Sequence, residues 1–338
     1  MLRVGIIGLG FMGKMHFRCW KAVPEAEIVA ICDIDPAKFA SADGTAGNIS
    51  GAEQPLDFSG IKFFTSAAEM LAEMKLDAVS VTLPTYLHAE YSCLALRAGV
   101  NVLCEKPMAL DGAECDSMVA AAEESGKLLQ IGHCIRFWPA YMKTKEIIDS
   151  RQYGGVLAAT FQRLSLSPIW GWQNWMMDGA KSGGAILDLH IHDSDFVQYL
   201  FGYPAGVFTR AVVGPSGAFD HAATSYIYPA GPVVTAEGGW AMAPGFGFEM
   251  SFNIVLERAT IVYDSTRSPE FRVCPHAGEV YIPPVAPGDA YAIEVRHFAD
   301  QLLGKPVPAI LTPRQSADSV RLVQAEKESA ASGKILFF

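Results

Sequence analysis

The sequence predicts an α/β protein: an N-terminal doubly wound parallel sheet, then an α+β domain with an open, mainly antiparallel sheet. Three observations carry that prediction. Over residues 1–130, short continuous apolar runs alternate with helical stretches, as strands buried on both faces do. The glycine pattern Gly8-Leu9-Gly10-Phe11-Met12-Gly13 follows the first of these runs directly. Beyond Arg136, strand signals succeed one another with only turn residues between them, such as Pro229-Ala230-Gly231-Pro232.

In order, 4–7 reads as the first strand, followed by glycines and a helix ending before Pro24. Residues 28–32 form a second strand closed by Asp33, and Pro36 starts a short helix. Strand three is 61–64, and Thr65 or Ser66 can cap a helix over 67–74. Further buried strands are expected at 78–83, 101–104 and 128–131, separated by helices 86–98 and 111–124. The Gly/Ser/Ala-rich stretch 41–60 is longer than an ordinary connection and reads as a surface insertion. In the second half a helix at 138–150 precedes strands near 156–166, 206–213, 221–228, 233–242, 248–256 and 259–263. Helices 183–200, 289–303 and 313–332 are expected to cover one face of that sheet. The division expected is 1–130 for a cofactor domain and 131–338 for a substrate-binding and oligomerisation domain.

Composition bounds the function. With 338 residues, 50% hydrophobic and 18% charged, the chain has material for about two cores. A net charge of −10, with no basic block, repels phosphate backbones and disfavours nucleic-acid binding. The seven cysteines form no CxxC pair and are expected to be reduced packing residues in a cytoplasm. The apolar start is short and runs into glycines, so a buried strand is expected there, with neither signal peptide nor membrane span.

Gly8, Gly10 and Gly13 have the spacing of a dinucleotide loop. The first permits the tight turn, the second a close approach of backbone to pyrophosphate, the third close helix–strand packing. Phe11 and Met12 open the helix whose N-terminus would face the phosphates. Asp33 stands twenty residues past Gly13 (33 − 13 = 20), where a carboxylate accepts from ribose hydroxyls and repels a 2′-phosphate. Ile34-Asp35-Pro36 follow without an arginine, so NAD is favoured and NADP remains possible.

Lys106, after a strand and before Pro107, sits where doubly wound sheets place ligands. In Gly183-Gly184-Ala185-Ile186-Leu187-Asp188-Leu189-His190-Ile191-His192-Asp193, Asp188 and His192 are four residues apart and share a helical face, with Asp195 close to that side. An imidazole suits proton removal from an alcohol, and a nearby carboxylate can orient it. His190, His192 and Asp193 also resemble metal ligands. On a helix, however, residues two apart diverge by roughly 200°, so no metal is expected. Trp170, Trp172 and Trp175 crowd the preceding loop, where indoles stack on sugar C–H faces or pack at a contact. Arg163, on the preceding strand, is a candidate for substrate oxygens.

These residues resemble the Gfo/Idh/MocA family of oxidoreductases over essentially the whole length. The marks are the glycine loop, the strand-end Asp33, Pro84-Thr85-Tyr86-Leu87-His88 (with Thr85 where Asn is usual), Glu105-Lys106-Pro107, and the Gly-Gly…Asp-x-x-x-His segment. The resemblance implies a Rossmann domain followed by a domain whose open sheet forms homodimer or homotetramer interfaces. It places Lys106, Asp188 and His192 on catalytic positions. It places Gly8, Gly10, Gly13, Asp33, Leu83, Pro84, Thr85, His88 and Glu105 on cofactor positions, with Phe11, Met12 and Ile34 beside them. Inositol-type members often carry a basic residue just before the one matching Arg136, where this chain has Ile135. The implied activity is hydride transfer between nicotinamide and the secondary alcohol or ketone of a sugar, cyclitol or related polyol. Lys106, Asp188 and His192 would then act on one substrate, with either Lys106 or His192 taking the proton. The alternative is a regulatory protein that binds NAD and sugar without turnover.

Overall fold

The computed structural model describes residues 1–39 and 56–338, so most of the 41–60 stretch lies outside the described residues. Two compact units emerge: Met1–Cys134 with Asp289–Val320, and Ile135–Gly288 with Arg321–Phe338.

The first unit is built on β1 (Leu2–Ile7), β2 (Ala26–Cys32), β3 (Lys62–Phe64), β4 (Ala78–Val81), β5 (Asn101–Glu105) and β6 (Leu129–Gly132). All its strand pairs are parallel, in the order β3-β2-β1-β4-β5-β6. That is the doubly wound order, whose ligand edge lies at the carboxyl ends of the strands where the winding reverses. The crossovers run through α1 (Phe11–Lys21), α2 (Ala67–Glu73), α3 (His88–Arg97) and α4 (Gly112–Ser125). Their ends are written in the sequence. Ser66 accepts from Glu69 N–H and caps α2, Asp111 accepts from Glu114 N–H and caps α4, and Gly126 closes α4 in the left-handed region at φ 64°. The central strands are buried along most of their length, which is why they read as unbroken apolar runs.

The second unit opens with α5 (Pro139–Ser150) and β7 (Val156–Leu166), followed by short helices α6 (Gly179–Ser182) and α7 (Ala185–Asp188), then α8 (Ile191–Phe201). Strands β8 (Gly206–Val213), β9 (Phe219–Ile227), β10 (Val233–Met242), β11 (Phe248–Leu256), β12 (Ala259–Asp264) and β13 (Phe271–Pro275) complete most of its sheet. Further along the chain come α9 (Ala290–Leu302), which belongs to the first unit, α10 (Pro313–Ser332) and the two-residue β14 (Leu336–Phe337). The eight-stranded order is β13-β12-β11-β7-β10-β9-β8-β14. Every pairing is antiparallel except β7 with β10, which are joined by the long passage through α6–α8, β8 and β9. Burial alternates along β9 and β11, the signature of a sheet covered on one side. On the covered side, α8 packs on β7 and β10, and Tyr141, Phe161, Phe196, Phe252 and Tyr263 form a mostly edge-to-face aromatic cluster.

Three expectations are corrected. Helix α9 does not cover the second sheet: its Val295, Phe298 and Ala299 stripe lies in the first unit's core with Val4, Ile6, Phe17 and Trp20. An amphipathic stripe fixes which face of a helix is buried, but not the surface that receives it. The expected helix 183–200 is two helices. The Ala185 carbonyl accepts from both Leu189 N–H and His190 N–H, a widened turn that ends α7 before α8 begins. Strands β13 and β14 were not foreseen, both being short and lying outside the clear alternating runs.

Candidate active site

In the first unit the three glycines have three different reasons. Gly8 has φ +97°, and a Cβ there would lie 2.7 Å from the Thr82 carbonyl oxygen. A Cβ on Gly13 would lie 2.0 Å from the Gly8 carbonyl oxygen, so α1 can approach the loop this closely only with glycine. Around a Cβ built on Gly10, nothing lies within 4 Å. Gly10 is also the N-cap of α1, without a side-chain cap and with no acidic residue in the first turn. An open cradle in front of uncapped helix N–H groups fits a pyrophosphate. Phe11 and Met12 stand half-buried at that helix start. Ile34 is 72% exposed beyond the end of β2.

Asp33 is buried and tied to the loop. Its Oδ2 accepts from Leu9 N–H at 2.7 Å, and its Oδ1 from Asp35 N–H at 2.9 Å. The ammonium of Lys38 reaches both oxygens, at 3.0 and 2.8 Å. The sequence reading stopped at Pro36 and missed this cation, which stands five residues past the aspartate on a one-turn helix, Pro36–Phe39. Lys38 offsets part of the charge with which Asp33 would repel a 2′-phosphate.

Lys106, half-buried, follows β5 directly. Its backbone N–H donates to Glu105 Oε2 at 3.2 Å, while Glu105 Oε1 accepts from His16 Nε2 at 2.8 Å. Glu105, expected beside the cofactor, is thus 6% exposed and turned toward α1. After β4 come half-buried Leu83 and Pro84, then Thr85, which is buried at the start of a short 3-10 turn, Thr85–Leu87. His88 opens α3 with its ring between two carbonyls, Nδ1 at 2.7 Å from Pro107 O and Nε2 at 2.8 Å from Leu83 O.

In the second unit, the run from Ser182 to Gln198 is buried at every position except Asp188 and His192. The two candidates are therefore the openings of an otherwise closed segment. His190 goes the other way. It is fully buried, its Nε2 lies 3.4 Å from Glu326 Oε2 on α10, and a Cβ on Gly238 would meet its Nδ1 at 2.6 Å. The two histidines diverge, and among the described residues no group of three His, Cys, Asp or Glu is placed to hold a metal.

Two other expectations do not hold. Arg163 does not face a substrate: it is 2% exposed, and its Nε and Nη2 donate to Asp193 at 3.0 and 3.1 Å. Asp195 does not join the Asp188 face; Arg136 grips it bidentately at 2.8 Å through Nε and Nη2, with the guanidinium 4.5 Å from the centre of the Tyr199 ring. Both are buried charge pairs between segments far apart in sequence, which no spacing rule reveals. Trp170 and Trp175 are half-buried and Trp172 is 37% exposed, around a loop whose Gln173 and Asn174 take left-handed backbone.

A 3-2-1-4-5-6 parallel sheet whose glycine loop is open only at its second glycine defines a dinucleotide-binding protein. More particularly, the chain belongs to the Gfo/Idh/MocA oxidoreductase family. The model for the oxidoreductase family, NAD-binding Rossmann fold, matches residues 2–133, and that for the GFO/IDH/MocA C-terminal domain matches 141–262. The chain is 30% identical to D-glucoside 3-dehydrogenase of Escherichia coli (strain K12), over 60% of this chain and 55% of that protein. It is 36% identical to inositol 2-dehydrogenase 3 of Saccharopolyspora erythraea, over 47% of this chain and 44% of that one. It thus spans about half the length of these curated relatives. In fold it is similar to levoglucosan dehydrogenase in complex with NADH and levoglucosan, with TM-score 0.84, 22% identity and 99% of both chains covered. Among the described residues no helix is long and apolar enough to cross a membrane.

Proposed function

We propose that this chain is an NAD(P)-dependent dehydrogenase, with NAD preferred, acting on a secondary alcohol of a sugar, cyclitol or related polyol. A bound nicotinamide dinucleotide would supply the hydride acceptor. Gly8, Gly10, Gly13 and the start of α1 hold its phosphates, and Asp33 its adenosine ribose, with Phe11, Met12, Ile34, Leu83, Pro84, Thr85 and His88 lining the binding edge. His192 takes the hydroxyl proton, Lys106 donates a hydrogen bond to the reacting oxygen and so stabilises the developing alkoxide, and Asp188 orients substrate and imidazole. Trp172 and Trp175 offer indole faces to the sugar.

The observation that carries the reading is the opening of a closed segment at Asp188 and His192 alone, in a chain of an oxidoreductase family. The relatives named for a glucoside and for inositol support a polyhydroxylated substrate. A cytoplasmic setting is supported by seven cysteines, all unbridged. The open face of the second sheet exposes Val212, Val233 and Val255, apolar side chains that a homodimer or homotetramer would cover.

The test is a screen of purified protein with NAD and NADP against sugars, cyclitols and sugar acids, with EDTA present throughout. Nucleotide reduction by at least one polyol is expected. Tight NADH binding without turnover on any of them would instead favour a non-catalytic sensor.

A further inference from the structure

We propose that His16 is a positioning residue for Lys106, acting through Glu105, and that with His88 it pins the backbone on both sides of that lysine. The proposal rests on the reading that Lys106 serves the reaction.

The hydrogen bonds converge on Glu105 from two sides. Trp20 Nε1–H donates to Ser80 Oγ at 2.9 Å, and Ser80 Oγ lies 2.9 Å from His16 Nδ1. His16 Nε2 lies 2.8 Å from Glu105 Oε1, and Lys106 N–H donates to Glu105 Oε2. An ionised Glu105 only accepts, so the ring proton belongs on Nε2. The Ser80 hydroxyl, already accepting from the indole, then turns its own proton to Nδ1. One tautomer satisfies the whole chain.

The charge state agrees. Burial works against an ionised Glu105, yet the His16 hydrogen bond and, after it, the charge of Lys106 hold its carboxyl below the ordinary range. Glu294 on α9 is fully buried, and neither of its oxygens has a hydrogen-bond partner in the protein. Burial, then the charge of Glu105, pushes its carboxyl well above the ordinary range. Of the two neighbouring acids, Glu105 is therefore the charged one.

On the other side, His88 holds the Pro107 carbonyl. Anchoring of Pro107 requires the ring proton on Nδ1, donated to its carbonyl; burial lowers the His88 pKa against the imidazolium that would serve both carbonyls. Residues 105 and 107 are thus each anchored by an imidazole that is 1% exposed, while Lys106 between them stays half-buried. Such anchoring matters because a misplacement of about 1 Å in a reacting group lowers rates by roughly 100-fold.

The test compares His16→Leu, His16→Gln and Ser80→Ala, alone and with Lys106→Ala. Gln keeps a donor toward Glu105, while Leu removes it. His16→Leu should lower kcat roughly 10- to 100-fold, leaving the NADH dissociation constant within about threefold. His16→Gln should recover most of the loss, and Ser80→Ala should fall between, which keeps the test usable if His16→Leu fails to fold. In the Lys106→Ala background the His16 and Ser80 changes should add nothing further. A second readout needs no substrate: the rate at which acetic anhydride acylates Lys106, followed by peptide mass spectrometry, should change severalfold in His16→Leu and return in His16→Gln. Unchanged kcat and unchanged Lys106 acylation in His16→Leu would overturn the proposal, as would an equal loss with and without Lys106. Full turnover in Lys106→Ala would instead remove the underlying reading of the site.

Discussion

Replacing Glu326 by Gln should change how the stability of the second unit depends on pH. Glu326 is fully buried, and burial lifts its carboxyl from 4.5 to about 8, against hydrogen bonds from Tyr226 and Ser194. Burial, then the charges of Arg163 and His221, lowers the neighbouring His190 from 6.5 to about 3. Between pH 4.5 and 8 the folded chain keeps the Glu326 proton that the unfolded chain has released. Stability therefore falls with rising pH, by about 1.4 kcal/mol per unit. For His190 the unfolded chain holds the extra proton from pH 3 to 6.5, so stability rises with pH there. The two slopes cancel between pH 4.5 and 6.5, and from 6.5 to 8 the wild type loses about 2 kcal/mol through Glu326. Gln keeps an acceptor for Ser194 and has no proton to lose. The stability difference between variant and wild type should thus grow by about 1.4 kcal/mol per pH unit from 4.5 to 8, up to about 5 kcal/mol across the window. Urea unfolding followed by tryptophan fluorescence at about pH 5, 6.5 and 8 reads this difference, and other titrating groups cancel from it. Parallel curves for variant and wild type would refute a buried, protonated Glu326.

Further tests address the site. Gly13→Ala puts a methyl 2.0 Å from the Gly8 carbonyl oxygen, and NADH fluorescence titration should show binding weakened by about tenfold or more, 1.4 kcal/mol or so. Asp33→Ala should erode the preference for NAD over NADP, whereas Lys38→Ala should sharpen it by leaving Asp33 uncompensated; tighter binding of NADP than NAD by the unaltered protein would overturn this account. His192→Ala should lower turnover by roughly 10²–10⁴-fold with NADH affinity little changed, and unimpaired turnover would end its role as base.

The first sheet was legible because strands buried on both faces leave unbroken apolar runs, and glycine spacing marks its loop. Most of the second sheet was legible from turn residues and alternation. What could not be read is pairing across the chain. Arg163 with Asp193, Arg136 with Asp195 and His16 with Glu105 are partners 30, 59 and 89 residues apart, and each looked like an isolated polar residue. Lys38 lay within reach of a local argument, since an ammonium five residues past a strand-end carboxylate can fold back onto it. The break between α7 and α8 left no mark, because no glycine or proline stands at Leu189-His190.

The core of the first unit is also a matter of timing. Trp20 stacks edge-to-face on Phe298, ring centres 6.2 Å apart, across 278 positions of chain (298 − 20). On a ribosome adding roughly 5–20 residues per second, the tryptophan waits about 15–55 s for that partner to be made. Throughout that interval the newborn parallel sheet exposes the apolar surface that α9 will cover. The nascent chain keeps that surface uncovered until α9 emerges, and a fragment ending at Cys134 would keep it so permanently.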